Sequence, residues 1–557
     1  MPEIKIGALG GLGEIGKNLY VIEVDEKIFV LDCGIKVPPS EFFGIDTIIP
    51  DYHYLKENVD RVQGIFLTHA HDDHINALVY MIDDINKDVY ASNFTMALVK
   101  DSIQLEHRNP DNYKLHTVTE DEEIIYGDVK VSFVRLTHSI PEAFGIAIET
   151  LDGVILYTGD YSFDQNVDKD YRTSFDKLSY YGNTGVLALL SDCYGARNIS
   201  TDSYQELLFK LNAIFKDAPG RIIITSFSND LRRIQQIIDV SLKYDKKVAI
   251  IGRKTQRLVD IAINLGYIKI PEEKLVSLRY IDDKNTNNDP DMVVIVAGDR
   301  HEPYFMLQRM CKKIDRLINI TSLDTIITMT TPTDGSEKLA AKTLDLLSRV
   351  NTRINTLSKK ILETSHATRE EIKMMINITK PKYVIPVKGE FNHQYAMIDI
   401  CNEIHYDTNN VIILDNGDFA IFKDGEREKR IESFPAGEIL IDGSIAGDVN
   451  NVVIHDREQL SKDGILLIIA NLNPKSKNIL AGPEVTSRGF INMKENYEIY
   501  EGIVDAFNRV SEKMLASRFV NWNDYKKEIK DEISRFLYKE IQRSPVIIPI
   551  IIATDEE

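Results

Sequence analysis

Three of the chain's 12 histidines fall within six residues, in Thr68-His69-Ala70-His71-Asp72-Asp73-His74, directly behind the apolar run Gly64–Leu67. A strand that ends in H-x-H-x-D-H puts two imidazoles on the same side of an extended turn. Asp73 and His74 then swing toward a second position as a helix begins, expected over Ile75–Ile82. Imidazole and carboxylate together suit zinc, with manganese as second choice. A solvated histidine-rich loop is the bland alternative. The spacing and the ligands that follow weigh against it.

Those further ligands also stand at expected strand ends. The alternating run Val131–Leu136 stops at Thr137-His138-Ser139, and Gly153–Tyr157 stops at Thr158-Gly159-Asp160. Either residue alone reads more readily as structural. In this order, behind the first motif, His138 completes the shell of one metal and Asp160 bridges two. Asp32, behind Ile28–Leu31, is expected to orient a ligand histidine from behind.

At 557 residues the chain exceeds what one core supports, so two to four domains are expected. No run of 18 or more apolar residues occurs, which argues against a membrane span. Met1-Pro2-Glu3-Ile4-Lys5 lacks a basic-then-apolar signal pattern and is expected to lead straight into a strand. Cys33, Cys193, Cys311 and Cys401 are too scattered for a disulfide framework or a zinc ribbon. They read as reduced thiols of a cytoplasmic protein. The net charge of −20 argues against non-specific nucleic-acid binding but leaves room for a locally basic channel.

Short apolar runs recur at Lys247–Ile251, Met292–Ala297, Thr325–Met329 and Tyr383–Val387, with helical stretches such as Arg232–Leu242 and Lys338–Val350 between. This alternation predicts α/β layers. Residues 201–350 read as a βα unit of their own, with the chemistry-bearing motifs on both sides of it, so one domain is inserted into another. A connecting stretch rich in Gly, Asp and Asn lies around Ala436–Asn451. Behind it come a strand over Gly464–Ala470, two helices and the apolar run Val546–Ala553. The helix Asp524–Arg543 carries Tyr525, Ile529, Phe536, Leu537 and Ile541 on one stripe, which must pack on something.

The motif series resembles that of the metallo-β-lactamase superfamily, and within it the ribonuclease J family. Ala8-Leu9-Gly10-Gly11-Leu12-Gly13-Glu14-Ile15-Gly16-Lys17-Asn18 looks like that family's start. Gly44-Ile45-Asp46-Thr47-Ile48-Ile49-Pro50-Asp51, Thr137-His138-Ser139-Ile140-Pro141 and Tyr157-Thr158-Gly159-Asp160-Tyr161 continue the likeness. It extends through Arg233-Ile234-Gln235-Gln236 to Gly482-Pro483-Glu484-Val485-Thr486-Ser487-Arg488-Gly489-Phe490, nearly the whole chain. The glycine-rich opening alone is weak evidence for a dinucleotide site.

The resemblance implies a metallo-β-lactamase αββα sandwich in two parts, residues 1–200 and 351–435, around an inserted, Rossmann-like β-CASP domain at 201–350. A linker at 436–455 and a small α+β C-terminal domain at 456–557 follow. It implies a ribonuclease that degrades RNA 5′→3′ from a 5′-monophosphate end and can also cut internally, in rRNA processing and mRNA decay. Two zinc ions are implied, held by His69, His71, Asp73, His74, His138 and Asp160, with Asp73, His74 and His366 catalytic. Implied partners are RNA, a second copy or a paralogue, and an RNA-degradation complex.

Thr364-Ser365-His366-Ala367-Thr368 precedes a helix expected from Glu370. Hydroxyls, backbone N–H groups and a helix N-terminus make a phosphate site, and the family uses this loop for one. Read structurally, the hydroxyls are an N-cap, and both can be true. The next motif departs from the family. Pro386-Val387-Lys388-Gly389-Glu390-Phe391 has Lys388 where catalytic members carry a metal-binding histidine. An ammonium cannot ligate a cation. Either the second metal binds weakly or is lost, or the Lys388 charge stands in part for it. The wording resembles the less active of the two paralogues that several bacteria carry. Ala297-Gly298-Asp299-Arg300-His301-Glu302-Pro303 and Thr330-Thr331-Pro332-Thr333-Asp334-Gly335 also depart from the family, where the inserted domain would face RNA.

Two readings compete. One is an RNA hydrolase of reduced activity; the other is an RNA-binding scaffold that pairs with an active paralogue. A small-molecule hydrolase of the same superfamily is disfavoured, because it would need neither the inserted domain nor the C-terminal extension.

Overall fold

Short runs of β-branched residues build two sheets that share one dry interior. The computed structural model describes residues 2–39, 42, 44–199, 204–277, 289–333, 335–362, 365–443, 445–446, 451–517 and 519–554. The chain forms two units, residues 1–37 with 48–439, and residues 38–47 with 440–557.

In the larger unit, the eight-stranded sheet runs Glu426–Ser433, Asp418–Lys423, Glu3–Gly10, Leu19–Val24, Lys27–Leu31, Val62–Phe66, Val89–Ala91, Leu115–Thr117. The six-stranded sheet facing it runs Tyr383–Val387, Val186–Asp192, Gly153–Tyr157, Ala143–Thr150, Val129–Leu136, Glu123–Tyr126. Alternate residues of both point inward, so Ile6, Tyr20, Phe29, Phe66, Phe133, Ile146, Tyr157, Leu190 and Ile385 form one core between the sheets. Helices Leu78–Ile85 and Asn93–Leu105 cover the outer face of the first sheet through Met81, Ile82, Phe94 and Val99. Helices Phe175–Thr184, Arg369–Thr379 and Phe391–Glu403 cover the second through Leu178, Ile372, Met375 and Met397. This is the expected αββα sandwich, and strands from either side of the inserted segment complete it.

The inserted segment carries its own sheet, all parallel, in the order Leu275–Val276, Lys247–Ile251, Met292–Gly298, Ile222–Phe227, Thr325–Thr328, Arg353–Thr356. Parallel strands need crossovers, and helices Leu231–Lys243, Arg253–Asn264, Glu302–Cys311 and Glu337–Val350 supply them. Two of the sheet's strands, Leu275–Val276 and Arg353–Thr356, carry no strong apolar signal in the sequence. Both sit at its edges, where less surface is buried.

The smaller unit has a sheet ordered Ile479–Arg488, Ile465–Leu472, Val546–Ala553. Ile465–Leu472 alternates half-buried and buried along its length. Helices Tyr497–Leu515 and Trp522–Ile541 pack on the buried face through Phe507, Tyr525, Ile529, Ile533 and Leu537. The last helix therefore begins and ends two residues before the sequence expectation. Strand Ile479–Arg488, interrupted by Gly482 and Pro483, went unread in the sequence for that reason. Among the described residues no helix is long and apolar enough to cross a membrane.

Candidate metal centre

The predicted ligands come together because they all follow the carboxyl ends of strands. Asp32 follows Lys27–Leu31, His69 to His74 follow Val62–Phe66, His138 follows Val129–Leu136, and Asp160 follows Gly153–Tyr157. Lys388 follows Tyr383–Val387. The strands Lys27–Leu31 and Val62–Phe66 are parallel, as are Gly153–Tyr157, Val186–Asp192 and Tyr383–Val387, so these ends meet at one rim. The helix behind the motif starts earlier than expected, at Asp72–Ile75, before a second helix begins at Leu78. Asp73 and His74 thereby turn away from His69 and His71. Gly34 permits this turn. A Cβ there would stand 1.5 Å from the Asp73 carbonyl oxygen.

His69, His71, His138 and Asp160 each present one donor atom within 4.8 Å of the others. All four are buried. His138 Nδ1–H donates to the Ser365 carbonyl at 2.8 Å, and His71 Nε2–H donates toward the Asn229 carbonyl at 3.3 Å. Their remaining lone pairs, on His138 Nε2 and His71 Nδ1, face each other at 3.2 Å. His69 Nε2 and Asp160 Oδ1 are buried without a hydrogen-bond partner. Facing lone pairs and orphaned buried acceptors fit a cation among them. Burial pushes all three imidazoles down, His71 to about 4, with neighbouring imidazoles adding to the effect at His69 and His138. They are neutral at neutral pH, as ligation requires.

The second donor set is Asp73, His74 and Asp160. Here the Lys388 ammonium takes the central place. Its Nζ lies 3.1 Å from Asp73 Oδ2 and 3.1 Å from His74 Nε2, and it is in direct contact with Asp160 Oδ2. Burial opposes its charge, but Asp160 and Asp73 outweigh that and raise its pKa. Lys388 has a left-handed backbone, φ 51°, held by N–H bonds to the Gly11 carbonyl at 3.0 Å and the Tyr20 hydroxyl at 3.2 Å.

Asp32 is fully buried and accepts from Thr68 N at 2.8 Å, His74 Nδ1 at 2.7 Å and Tyr157 OH at 2.7 Å. It therefore orients His74. Burial and the Lys388 ammonium disfavour a charged His74, while Asp160, Asp73 and Asp32 favour one. With Nδ1–H on Asp32 and an ammonium donating to Nε2, there is no room for a second proton. The neutral tautomer is the one this geometry holds.

A third cluster joins Asp160, Asp192 and His366. His366 Nδ1 is 2.8 Å from Asp192 Oδ2. Burial opposes its protonation, but Asp192 and Asp160 raise its pKa. The loop around it is partly committed to structure. Thr368 caps helix Arg369–Thr379, one residue earlier than expected, through Glu371, which accepts from its N–H at 2.8 Å and its hydroxyl at 2.7 Å. Ala367 is buried, Ser365 supplies its carbonyl to His138, and Thr364 lies outside the described residues.

Sequence reasoning missed Asp192, Asn18 and Asn229. Asn18 donates from Nδ2 to the Asp73 carbonyl at 2.9 Å and to Asp73 Oδ2 at 3.2 Å. Asp192 carried a usable signal, a carboxylate closing the buried run Val186–Asp192, as Asp32 and Asp160 close theirs. The two departing loops also lie at strand ends. Asp299 accepts from Lys254 at 2.7 Å and from the Ser228 hydroxyl, and Lys254 also pairs with Asp72. Thr330 shares a hydroxyl contact of 3.0 Å with Thr225, while Asp334 lies outside the described residues.

Comparison with known proteins finds a match in each part of the chain. The description "Metallo-beta-lactamase superfamily" matches residues 12–225, and "Ribonuclease J, beta-CASP domain" matches 219–347. "Zn-dependent metallo-hydrolase RNA specificity domain" matches 352–413, and "Ribonuclease J C-terminal domain" matches 452–554. The chain is 36% identical over 551 residues to Ribonuclease J2 of Bacillus subtilis (strain 168), covering 98% of each. It is 35% identical over 550 residues to Ribonuclease J 2 of Staphylococcus epidermidis, covering 99% of this chain and 98% of that one. A crystal structure of a protein of unknown function from Enterococcus faecalis V583 shares the fold, with TM-score 0.53 and 16% identity over 75% of this chain and 100% of the other.

Proposed function

The chain belongs to the ribonuclease J family, metal-dependent RNA hydrolases of the metallo-β-lactamase fold, and from that premise we propose that it works with one tightly held metal ion and a tethered ammonium where a second ion would sit. The observation that carries this reading is the position of Lys388 Nζ, among Asp73, His74 and Asp160. The donor set of three imidazoles and a carboxylate at His69, His71, His138 and Asp160 suits zinc, with manganese as second choice.

Bound there, a divalent cation acts as a Lewis acid and brings the pKa of water down toward ~7. The chain's own residues do the rest. Asp160 touches both pockets and fixes their spacing. Lys388, held by Asp73, His74 and Asp160, keeps one fixed positive charge at the place of a second ion. His366, aligned by Asp192, stands ready to donate a proton to the departing oxygen. Ser365 and Ala367 offer donors to the phosphate, with Thr364 in the same loop of the sequence, whereas the N–H groups of Thr368 and Arg369 are already given to Glu371 and Asn198. The proposed substrate is RNA with a 5′-monophosphate, degraded 5′→3′, at a reduced rate. An ammonium cannot polarise an oxygen as a metal does, nor bind the attacking water.

We divide the chain as residues 1–200 and 351–435, 201–350, 436–455 and 456–557, although the inserted sheet takes its last edge strand from Arg353–Thr356, past that boundary, with the C-terminal unit as the pairing surface and the cytoplasm as its place. Ile548, Ile550 and Ile552 support the pairing: they are 40%, 37% and 47% exposed on the face away from the two packed helices. Deleting residues from about Asp456 onward gives monomers by light scattering; a truncated protein that keeps its oligomeric state refutes this assignment.

The main test is degradation of a 5′-monophosphorylated RNA by the pure protein with added zinc or manganese, beside metal analysis. About one ion per chain and slow hydrolysis are expected. Two ions and rapid hydrolysis would show Lys388 to be tolerated. RNA binding without hydrolysis would favour the second reading, a scaffold for an active paralogue, which the filled second pocket also supports.

A further inference from the structure

Two strips of chain leave the candidate centre side by side. One runs from Asp192 to Asn198, behind the strand Val186–Asp192; the other runs from His366 to Arg369. Three contacts hold them together in order. Asp192 Oδ2 meets His366 Nδ1 at 2.8 Å. Gly195 lies so close to the second strip that a Cβ there would stand 2.1 Å from the Ala367 carbonyl. Arg369 N–H then donates to the Asn198 carbonyl at 2.9 Å. The Tyr194 ring sits 4.8 Å from His366 and 5.4 Å from His393, centre to centre, so an aromatic surface follows the same path.

The path ends in a groove of about 460 Å³, lined in part by Arg197, Ile199, Arg369, Asn392, Tyr395 and Asp399. Arg369 stands three positions after His366, so the groove wall begins within ~10 Å of chain from the candidate centre. Its chemistry is specific. Tyr395 is 59% exposed and Ile199 is 78% exposed, an aromatic ring and an aliphatic branch both left in water beside a concave surface. The Arg369 guanidinium is committed to Glu403, with Nε at 3.2 Å and Nη2 at 2.5 Å, and serves as wall. Arg197 is exposed and close enough to His393 to act on its charge. Asn392 donates from Nδ2 to Glu390 Oε2 at 3.0 Å. Asp399 opposes phosphate on its side, so phosphate is favoured on the Arg197 side.

From this we infer that the groove beside Arg197 and Tyr395 is a nucleotide subsite, where a base of the RNA strand stacks on Tyr395 against Ile199 and its phosphate meets Arg197. The inference rests on the RNA-hydrolase reading above and goes beyond it by placing the strand on one named surface. Arg369, Asn392, Tyr395 and Asp399 also fall in the segment matched by the RNA specificity description. Base–aromatic stacking is sequence-tolerant, which suits an enzyme that must follow a strand of any sequence.

The test uses the full-length protein and a fluorescein-labelled, phosphorothioate-linked single-stranded oligoribonucleotide, with anisotropy as readout, so that affinity is measured apart from cleavage. Tyr395→Ala should weaken binding by about 5- to 150-fold. Arg197→Ala should reduce the salt slope of log Kd by about 0.7. Tyr180→Ala, a 57% exposed tyrosine on the outer helix Phe175–Thr184, should change neither. The three positions are at the surface, and unchanged melting temperatures will confirm intact folds. A 4-thiouridine photocrosslink to the peptide containing Tyr395 would support the placement. If the wild type binds RNA and all three variants bind it equally, the subsite is wrong while the hydrolase reading stands. If the wild type binds no RNA, that reading fails and the subsite with it. If Tyr395→Ala alters only the oligomeric state, the groove is a protein contact and the inference is overturned.

Discussion

The two donor pockets share one carboxylate, Asp160, yet they solve the same electrostatic problem in opposite ways. Around His69, His71 and His138 the lone pairs converge with nothing of the protein between them, and two buried acceptors lack partners. Around Asp73 and His74 the protein has filled the space itself with the Lys388 ammonium. The first pocket is neutral except for Asp160 and asks for an external cation. The second is a buried ion cluster with its cation covalently attached. On the proposed reading, one centre keeps the geometry for two cations while taking only one from solution.

Asp160→Asn should break both pockets at once and have the largest effect. It removes a ligand from the first and leaves Lys388 buried with one carboxylate fewer. Losing one partner of a buried pair costs about 3–5 kcal/mol. Chemical unfolding should show that loss, and metal analysis should find little bound ion. A variant that stays stable and metal-loaded would show the two pockets to be independent.

Lys388→His tests whether the second pocket can be turned into the first. Metal content should rise toward two per chain, and RNA hydrolysis should increase by roughly 10²–10³-fold, the usual worth of one electrostatic stabiliser of the transition state. If stoichiometry rises and the rate stays flat, the limit lies in RNA handling, where Asp299 already occupies Lys254 and Ser228.

The pockets should also separate by pH, with smaller effects. Imidazoles held below their ordinary value bind fewer protons folded than unfolded. Metal-free protein should therefore lose stability as pH falls from about 6.5 toward 4, by up to about 1.4 kcal/mol per unit for each imidazole. Added zinc should move that loss to lower pH, because metal and protons compete for the same nitrogens. At Asp73 and Asp160 burial works against ionisation, but Lys388 holds both carboxyls below the usual range. Their contribution is present above pH ~4 and is lost only as pH falls further. Zinc should leave Asp73's share of that second loss in place. Urea melts across pH 7 to 3, with and without zinc, would show one transition moving or none.

Much of this was legible in the residues. Apolar runs ending in His or Asp are short-range patterns, and the chain places Asp32, His69, His138 and Asp160 at strand ends as those runs require. Lys388 could be identified as a departure, and its charge as a substitute for an ion was one of two open outcomes. The expected helix start was misplaced because Asp72 and Asp73 look like cap residues in sequence, whereas they lie inside a short helix that Gly34 lets approach.

The amino-acid sequence by itself determined the layers, the inserted parallel sheet and the type of chemistry, since these depend on periodicity and on which donors follow which strand. Only the tertiary structure decided what meets what. Lys388 lies 228 residues from Asp160, and Asn229 reaches His71 from the inserted segment across 158 positions. Asp192 finds His366 across 174. No local pattern encodes such pairings. They follow from the parallel alignment of strand ends and from the cost of burying a charge unpaired, which leaves a buried ammonium few stable places other than among carboxylates.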